Sequence, residues 1–97
     1  MIVLEQEPVV LEQEFIVGNK LGIHARVAAQ IVKVANQFES EIWLSKCGNR
    51  VNGKSILDVM TLVCPLGCRV QVSACGRDAS AALNALASLF QTKFCEV

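Results

Sequence analysis

The chain has 97 residues, of which 53% are apolar and 19% charged. That is the size of one domain, with enough apolar side chain to bury a core and too much for a disordered polymer. Nine basic and nine acidic residues cancel, and without any Lys/Arg run the chain is not expected to bind nucleic acid.

The charge is unevenly placed. Residues 1–14 hold Glu5, Glu7, Glu12 and Glu14 and no base, so residues 15–97 carry nine basic against five acidic residues, a net of +4. A mildly basic domain behind an acidic arm suits acidic protein partners or phosphate. The five cysteines (Cys47, Cys64, Cys68, Cys75 and Cys95) are odd in number, and the start of the chain is acidic where a signal peptide would be basic. The expectation is a cytoplasmic protein with reduced thiols. No apolar run approaches the ~18 residues of a membrane span, so no membrane insertion is expected. Cys64 and Cys68 form the only close pair, around the turn Pro65-Leu66-Gly67. With the single histidine remote from them, neither a metal nor a cofactor is expected.

In chain order, Val3-Leu4-Glu5-Gln6-Glu7 recurs as Val10-Leu11-Glu12-Gln13-Glu14, with Pro8 between. Two copies are too few for a repeat architecture. Residues 1–13 read as an acidic, flexible arm, with an extra strand on a sheet edge as the alternative. The domain proper is expected over 14–97. Glu14 to Gly18 reads as a strand with Phe15 and Val17 on one face. Asn19-Lys20-Leu21-Gly22 is a loop, and from Ala25 to about Gln37 the apolar residues recur at helical spacing: Ala28, Ile31, Ala35 and Phe38, with Val27 and Val34 alongside.

His24, the only histidine, sits where the loop meets this helix, in Leu21-Gly22-Ile23-His24-Ala25-Arg26. A helix start presents unpaired amides and the positive end of the helix dipole, a ready anion site. No Ser, Thr, Asp or Asn immediately precedes the helix as a cap; His24 takes that place. A histidine there can carry a phosphoryl group, with the amides and Arg26 holding its oxygens. The plainer reading is an ordinary helix-start histidine, since histidine has many duties besides chemistry.

Glu41 to Lys46 alternates, with Ile42 and Leu44 inward and Trp43 outward, and Cys47-Gly48-Asn49 turns it into a short return strand at Arg50-Val51. After Asn52-Gly53-Lys54, a short helix runs from Ser55 to about Leu62. Ser55-Ile56-Leu57-Asp58 has the form of a capping box. Ile56, Leu57 and Met60 cluster on this short helix, either in the core or as an exposed apolar patch. Cys68 to Cys75 alternates as the last strand, with Val70, Val72 and Ala74 inward. A final helix is expected to be capped near Asp78, with Leu83, Leu86, Ala87 and Phe90 as its buried stripe. The order β-α-β-β-α-β-α defines an α+β open-faced sandwich: a four-stranded antiparallel sheet with three helices on one face.

Two motifs together carry a resemblance. Leu21-Gly22-Ile23-His24-Ala25-Arg26 is similar to the active-site loop of the HPr family, the histidine-containing phosphocarriers of the bacterial phosphoenolpyruvate:sugar phosphotransferase system. Val51-Asn52-Gly53-Lys54-Ser55-Ile56-Leu57 is similar to that family's regulatory serine motif, and the spacing of the two agrees. The resemblance covers about residues 14–97. It implies a phosphoryl-group carrier with a phosphohistidine intermediate rather than a free-standing enzyme. His24 would accept the group on Nδ1, and Arg26 would stabilise the phosphate. Enzyme I, charged from phosphoenolpyruvate, would be the donor and enzyme IIA domains the acceptors. Ser55 would be the site of an ATP-dependent HPr kinase/phosphorylase, and Ile56, Leu57 and Met60 the docking patch, on a monomer.

Three features depart from the family pattern. Val27 stands where proline usually follows the active-site arginine. Asp58 stands where glycine is frequent, and its charge would oppose a phosphate on Ser55. The repeated acidic arm is atypical. Val27 leaves open a regulatory HPr-like binding protein, whose phosphorylation state controls partners without sugar transport. A third reading is a small ligand-binding module in which His24 is only a cap.

Overall fold

The computed structural model describes residues 10–95. It contains β1 (Val10–Ile16), α1 (Ala25–Ala35), β2 (Glu41–Lys46), β3 (Asn49–Asn52), α2 (Ile56–Thr61), β4 (Arg69–Cys75), α3 (Ala79–Gln91) and a terminal one-turn segment, Lys93–Cys95. The four strands form one sheet in the order β1-β4-β2-β3, antiparallel at every pairing. Three α-helices cover one face, so the expected open-faced sandwich is the observed fold.

Alternation decides which sheet face is covered. Val70, Val72 and Ala74 of β4 are fully buried with Ile42 and Leu44 of β2. Their neighbours Arg69, Gln71, Ser73, Trp43 and Ser45 face the other way. The helices complete the core with the apolar stripes read from the sequence: Val27, Ala28, Ile31, Val32 and Ala35 on α1, and Ala79, Ala82, Leu83, Leu86, Ala87 and Phe90 on α3. Phe15 stacks on Phe90 with ring centroids 4.6 Å apart, joining the edge strand to α3. Helix α1 ends at Ala35, two residues short of expectation. Asn36 caps it, both its backbone N–H and its Nδ2 donating to the Val32 carbonyl.

Strand β1 begins at Val10, four residues before the expected Glu14. Residues 10–13, read as the end of the arm, therefore belong to the sheet, while residues 1–9 of that arm lie outside the described residues. The polar run Glu12-Gln13-Glu14 hides the strand. Register against β4 explains it: Leu11 pairs with Ala74 and Phe15 with Val70 on the covered face. On the open face, Glu12 accepts hydrogen bonds from Gln71 Nε2 (3.0 Å) and Ser73 Oγ (3.4 Å). Trp43 lies on that open face as expected, half-buried beneath the Arg50 guanidinium at 4.2 Å from its ring centroid.

Asp78 holds the residue position before α3, but its carboxylate does not cap that helix. It accepts from the backbone N–H of Glu39 and of Ser40, each at 2.9 Å, and from the Ser40 hydroxyl. The α1–β2 loop crosses so close to Gly76 that a Cβ there would lie 2.6 Å from Ser40 Oγ. Two loop amides thus compete for the carboxylate and win. These bonds hold the Asp78 carboxyl well below its usual range, at about 2.

Candidate phosphoryl-acceptor site

The loop between β1 and α1 is clasped from beneath by the segment that precedes β4. Gly22 has φ +68°, and a Cβ on it would lie 2.2 Å from the Cys64 carbonyl oxygen. Only glycine permits both that backbone region and that approach. The next residue, Ile23, donates its N–H to the same carbonyl at 2.9 Å. Asn19, 1% exposed, donates Nδ2 to the Gly22 carbonyl at 2.6 Å. Loop and clasp together fix the peptide that leads into His24.

His24 occupies the residue position before α1, with extended backbone (φ −119°, ψ −174°) and no side-chain capping bond. Its carbonyl accepts from the Ala28 N–H at 2.8 Å, so the helix is properly started. The amides of Ala25, Arg26 and Val27 have no partner within the helix, and no acidic residue in the first turn offsets them. Val27 supplies one of these donors where proline could not, and its side chain is wholly buried. The half-exposed imidazole therefore stands at an unneutralised helix N-terminus, as read from the sequence.

Arg26 is exposed, with Nη1 3.5 Å from the Phe94 carbonyl. Sequence reasoning missed this partner. Lys93, Phe94 and Cys95 all have φ between +52° and +56°, a left-handed turn without a glycine to announce it. The turn drives the Phe94 ring into the core, edge-on to Phe90 at 4.9 Å, and leaves its carbonyl facing α1. The Lys93 side chain crosses Gly18, where a Cβ would meet Lys93 Cγ at 3.4 Å. The C-terminal turn is thus part of the site's wall.

Ser55 stands at the N-terminus of α2, and its Oγ accepts from the Asp58 N–H at 3.3 Å, which is half of the expected capping box. The Asp58 carboxylate does not return to Ser55. It accepts instead from the Asn52 N–H at 3.4 Å. Val59 is the only buried residue of α2. Ile56, Leu57 and Met60 are exposed by 43, 78 and 46%, so of the two fates weighed for this cluster, the exposed patch is the observed one. Met60 also lines a shallow groove of ≈ 240 Å³ with Leu21, Ile23, Leu62, Val63, Cys64 and Pro65. The groove connects α2 to the His24 loop; Ser55 is not part of it. Leu21 and Val63, which sequence reasoning did not single out, are exposed by 78 and 75% and extend the apolar surface.

A histidine at a bare helix start, an arginine two residues on and an apolar rim on an open-faced sandwich define a protein that handles an anion while docked to a partner. Comparison with known proteins makes the class specific. Residues 11–92 match the family PTS-HPr, described as the PTS HPr component phosphorylation site. The phosphocarrier protein HPr of Xylella fastidiosa (strain 9a5c) is 44% identical over 86 residues, covering 89% of this chain and 97% of that protein. The HPr-like protein Crh of Bacillus subtilis is 41% identical over 81 residues, covering 84% and 95%. A crystal structure of HPr from Thermoanaerobacter tengcongensis superposes with a TM-score of 0.86 at 41% identity, covering 90% of this chain and 98% of that one; another structure of HPr from that organism is described as a dimer. The chain belongs to the HPr family, and its function is that of a phosphocarrier of the phosphotransferase system. Among the described residues, no helix is long and apolar enough to cross a membrane.

Proposed function

We propose that His24 is the phosphoryl acceptor, taking the group from phospho-enzyme I and passing it to enzyme IIA domains. What supports this most is the uncapped start of α1 at His24, with no acidic residue in its first turn. In the forward step, the lone pair of Nδ1 attacks phosphorus, and the bond to the donor breaks with its electron pair leaving on the donor. The first-turn amides face the phosphoryl oxygens and Arg26 adds a mobile positive charge. Both hold the group only at its periphery. That suits a carrier, because tight ground-state binding would oppose onward transfer.

Ile56, Leu57 and Met60, joined to the His24 loop through the Met60 groove, form the docking patch shared by donor and acceptor. Ser55 is a regulatory site for an ATP-dependent kinase. A phosphate there would add nearly two negative charges at the edge of that patch and weaken docking of acidic partners. The Asp58 carboxylate turns toward Asn52, which lessens its opposition to such a phosphate. The protein works in the cytoplasm as a monomer. Glu12 and Glu14 on edge strand β1 suit that state, since charge on an edge discourages strand pairing.

The deciding experiment is incubation with enzyme I and phosphoenolpyruvate, with intact mass measured before and after acid treatment. One acid-labile phosphate is expected, and none on His24→Ala. Equal labelling of the His24→Ala variant would refute the assignment.

A further inference from the structure

Cys64 and Cys68 flank the turn that clasps the His24 loop. The turn is closed by the Cys68 N–H donating to the Pro65 carbonyl at 3.0 Å, with Gly67 at φ +86° as a type II turn requires. The closed turn sets the two cysteines at its two flanks, four residues apart, with Cys68 Sγ donating to the Arg69 carbonyl at 3.6 Å. Cys64 is buried and Cys68 half-exposed. Backbone groups of this segment hold both ends of the β1–α1 loop. Cys64 O accepts from Ile23 N, Cys68 O accepts from Val17 N at 2.8 Å, and Gly67 N donates to Val17 O at 2.8 Å. The Lys46 ammonium is bonded to the Val63 carbonyl, next to Cys64, and its charge offsets only part of the burial that raises the Cys64 thiol.

We infer that Cys64 and Cys68 are a reversible dithiol/disulfide modification site, oxidised by a low-molecular-weight disulfide such as oxidised glutathione and placed to lock the turn beneath the His24 loop. Cys68, the accessible thiol, loses its proton and attacks one sulfur of the external disulfide, expelling one glutathione thiolate and forming a mixed disulfide. Cys64 then loses its proton and attacks Cys68 Sγ, and the second glutathione thiolate leaves. Two protein thiols are oxidised by two electrons and one external disulfide is reduced to two thiols, so the exchange balances. Burial and the neighbouring Cys68 thiol push Cys64 up to about 12. This order of attack follows: Cys64 is the resolving partner, and closure is the slow step. Disulfides of reducing compartments are mostly transient and redox-sensing.

The test uses the whole chain. After incubation with oxidised glutathione, free thiols are alkylated under denaturing conditions and the protein is digested with trypsin. Both cysteines fall in one tryptic peptide, Ser55–Arg69, and Cys47 falls in another. The expected result is loss of both alkylation sites on Ser55–Arg69, with a mass two hydrogens lower, restored by dithiothreitol. Cys47→Ser should leave this unchanged, and Cys68→Ser should abolish it. Amide exchange at Ile23 should slow by roughly threefold or more in the oxidised form, as the clasp stops opening. A stable glutathione adduct on Cys68, a link to the Cys47 peptide, full alkylation at both positions, or unchanged Ile23 exchange in the oxidised protein would each overturn the proposal.

Discussion

Gly22→Ala probes the clasp that positions His24, and its cost can be worked from the geometry. The backbone there sits at φ +68°, which costs an L-residue roughly 1–2 kcal/mol. The new Cβ would stand 2.2 Å from the Cys64 carbonyl oxygen and 2.9 Å from Pro65 Cα. Carbon and oxygen without a covalent link rest at about 3.3 Å or more, so the loop must retreat by about 1 Å from a backbone atom that cannot swing aside. Retreat breaks the Ile23–Cys64 bond (2.9 Å) and strains the Asn19–Gly22 bond (2.6 Å). Leaving one buried partner unsatisfied adds about 1–3 kcal/mol. The sum is about 2–5 kcal/mol.

Gly48→Ala is the matched control. Gly48 has φ +83°, and a Cβ added there would have nothing within 4 Å, so it incurs the conformational cost of roughly 1–2 kcal/mol and no collision. Any stabilisation from restricting the unfolded chain is common to both variants. Urea unfolding should therefore place Gly22→Ala about 1–3 kcal/mol below Gly48→Ala, or about 4–24 °C lower in Tm for a domain of this size. At a temperature where both remain folded, Gly22→Ala should also form phosphohistidine up to about 100-fold more slowly, because a displacement of this size misplaces the acceptor. Equal stabilities for the two variants would refute the reasoning, since the collision would then have no energetic consequence.

Asp78 predicts an acid limb in the stability profile. Its folded value is lowered to about 2 by bonds from the Ser40 hydroxyl and the Glu39 and Ser40 amides, whereas an unfolded aspartate titrates near ~3.9. A depressed carboxyl stabilises the fold fully above the unfolded value, and the contribution is lost as pH falls toward the folded one. Thermal unfolding from pH 6 to pH 2 should show Tm falling below about pH 4, and Asp78→Asn should flatten that part of the curve; a wild-type slope retained in the variant would assign the limb to other groups. Phe94→Ala removes a fully buried ring and should cost about 3–5 kcal/mol in urea unfolding; a cost under about 1 kcal/mol would mean that the C-terminal turn does not anchor the core. Leu57→Asp alters a side chain 78% exposed. It should leave stability within about 0.5 kcal/mol while weakening enzyme I binding by at least about tenfold in calorimetry; unchanged affinity would remove Leu57 from the docking patch.

How much of this is legible in the sequence follows from where the physics is local. The helix stripes, the alternation of β2 and β4 and the bare helix start at His24 depend on periods of two and 3.6 residues and on a missing cap, all visible within a few neighbours. The first four residues of β1 escape sequence reading because an edge strand needs little apolar character when its partner supplies the register, and Glu12 is satisfied by Gln71 and Ser73, 59 and 61 residues away. For Asp78 the sequence indicates the right position and the wrong partner. Its carboxylate answers to the α1–β2 loop, which only the close crossing at Gly76 brings near. The left-handed turn at 93–95 has no local signal at all, for its residues are Lys, Phe and Cys. Burial of the Phe94 ring against Phe90 offsets a backbone cost of the same order, three residues at roughly 1–2 kcal/mol each against about 3–5 kcal/mol for a core aromatic. The same turn brings a carbonyl within 3.5 Å of Arg26, so the electrostatics of the acceptor site depend in part on core packing at the far end of the chain. Residues whose role is set by a long-range crossing are those that sequence periodicity leaves blank, and Phe94, through its carbonyl beside Arg26, is the one that bears on the acceptor site.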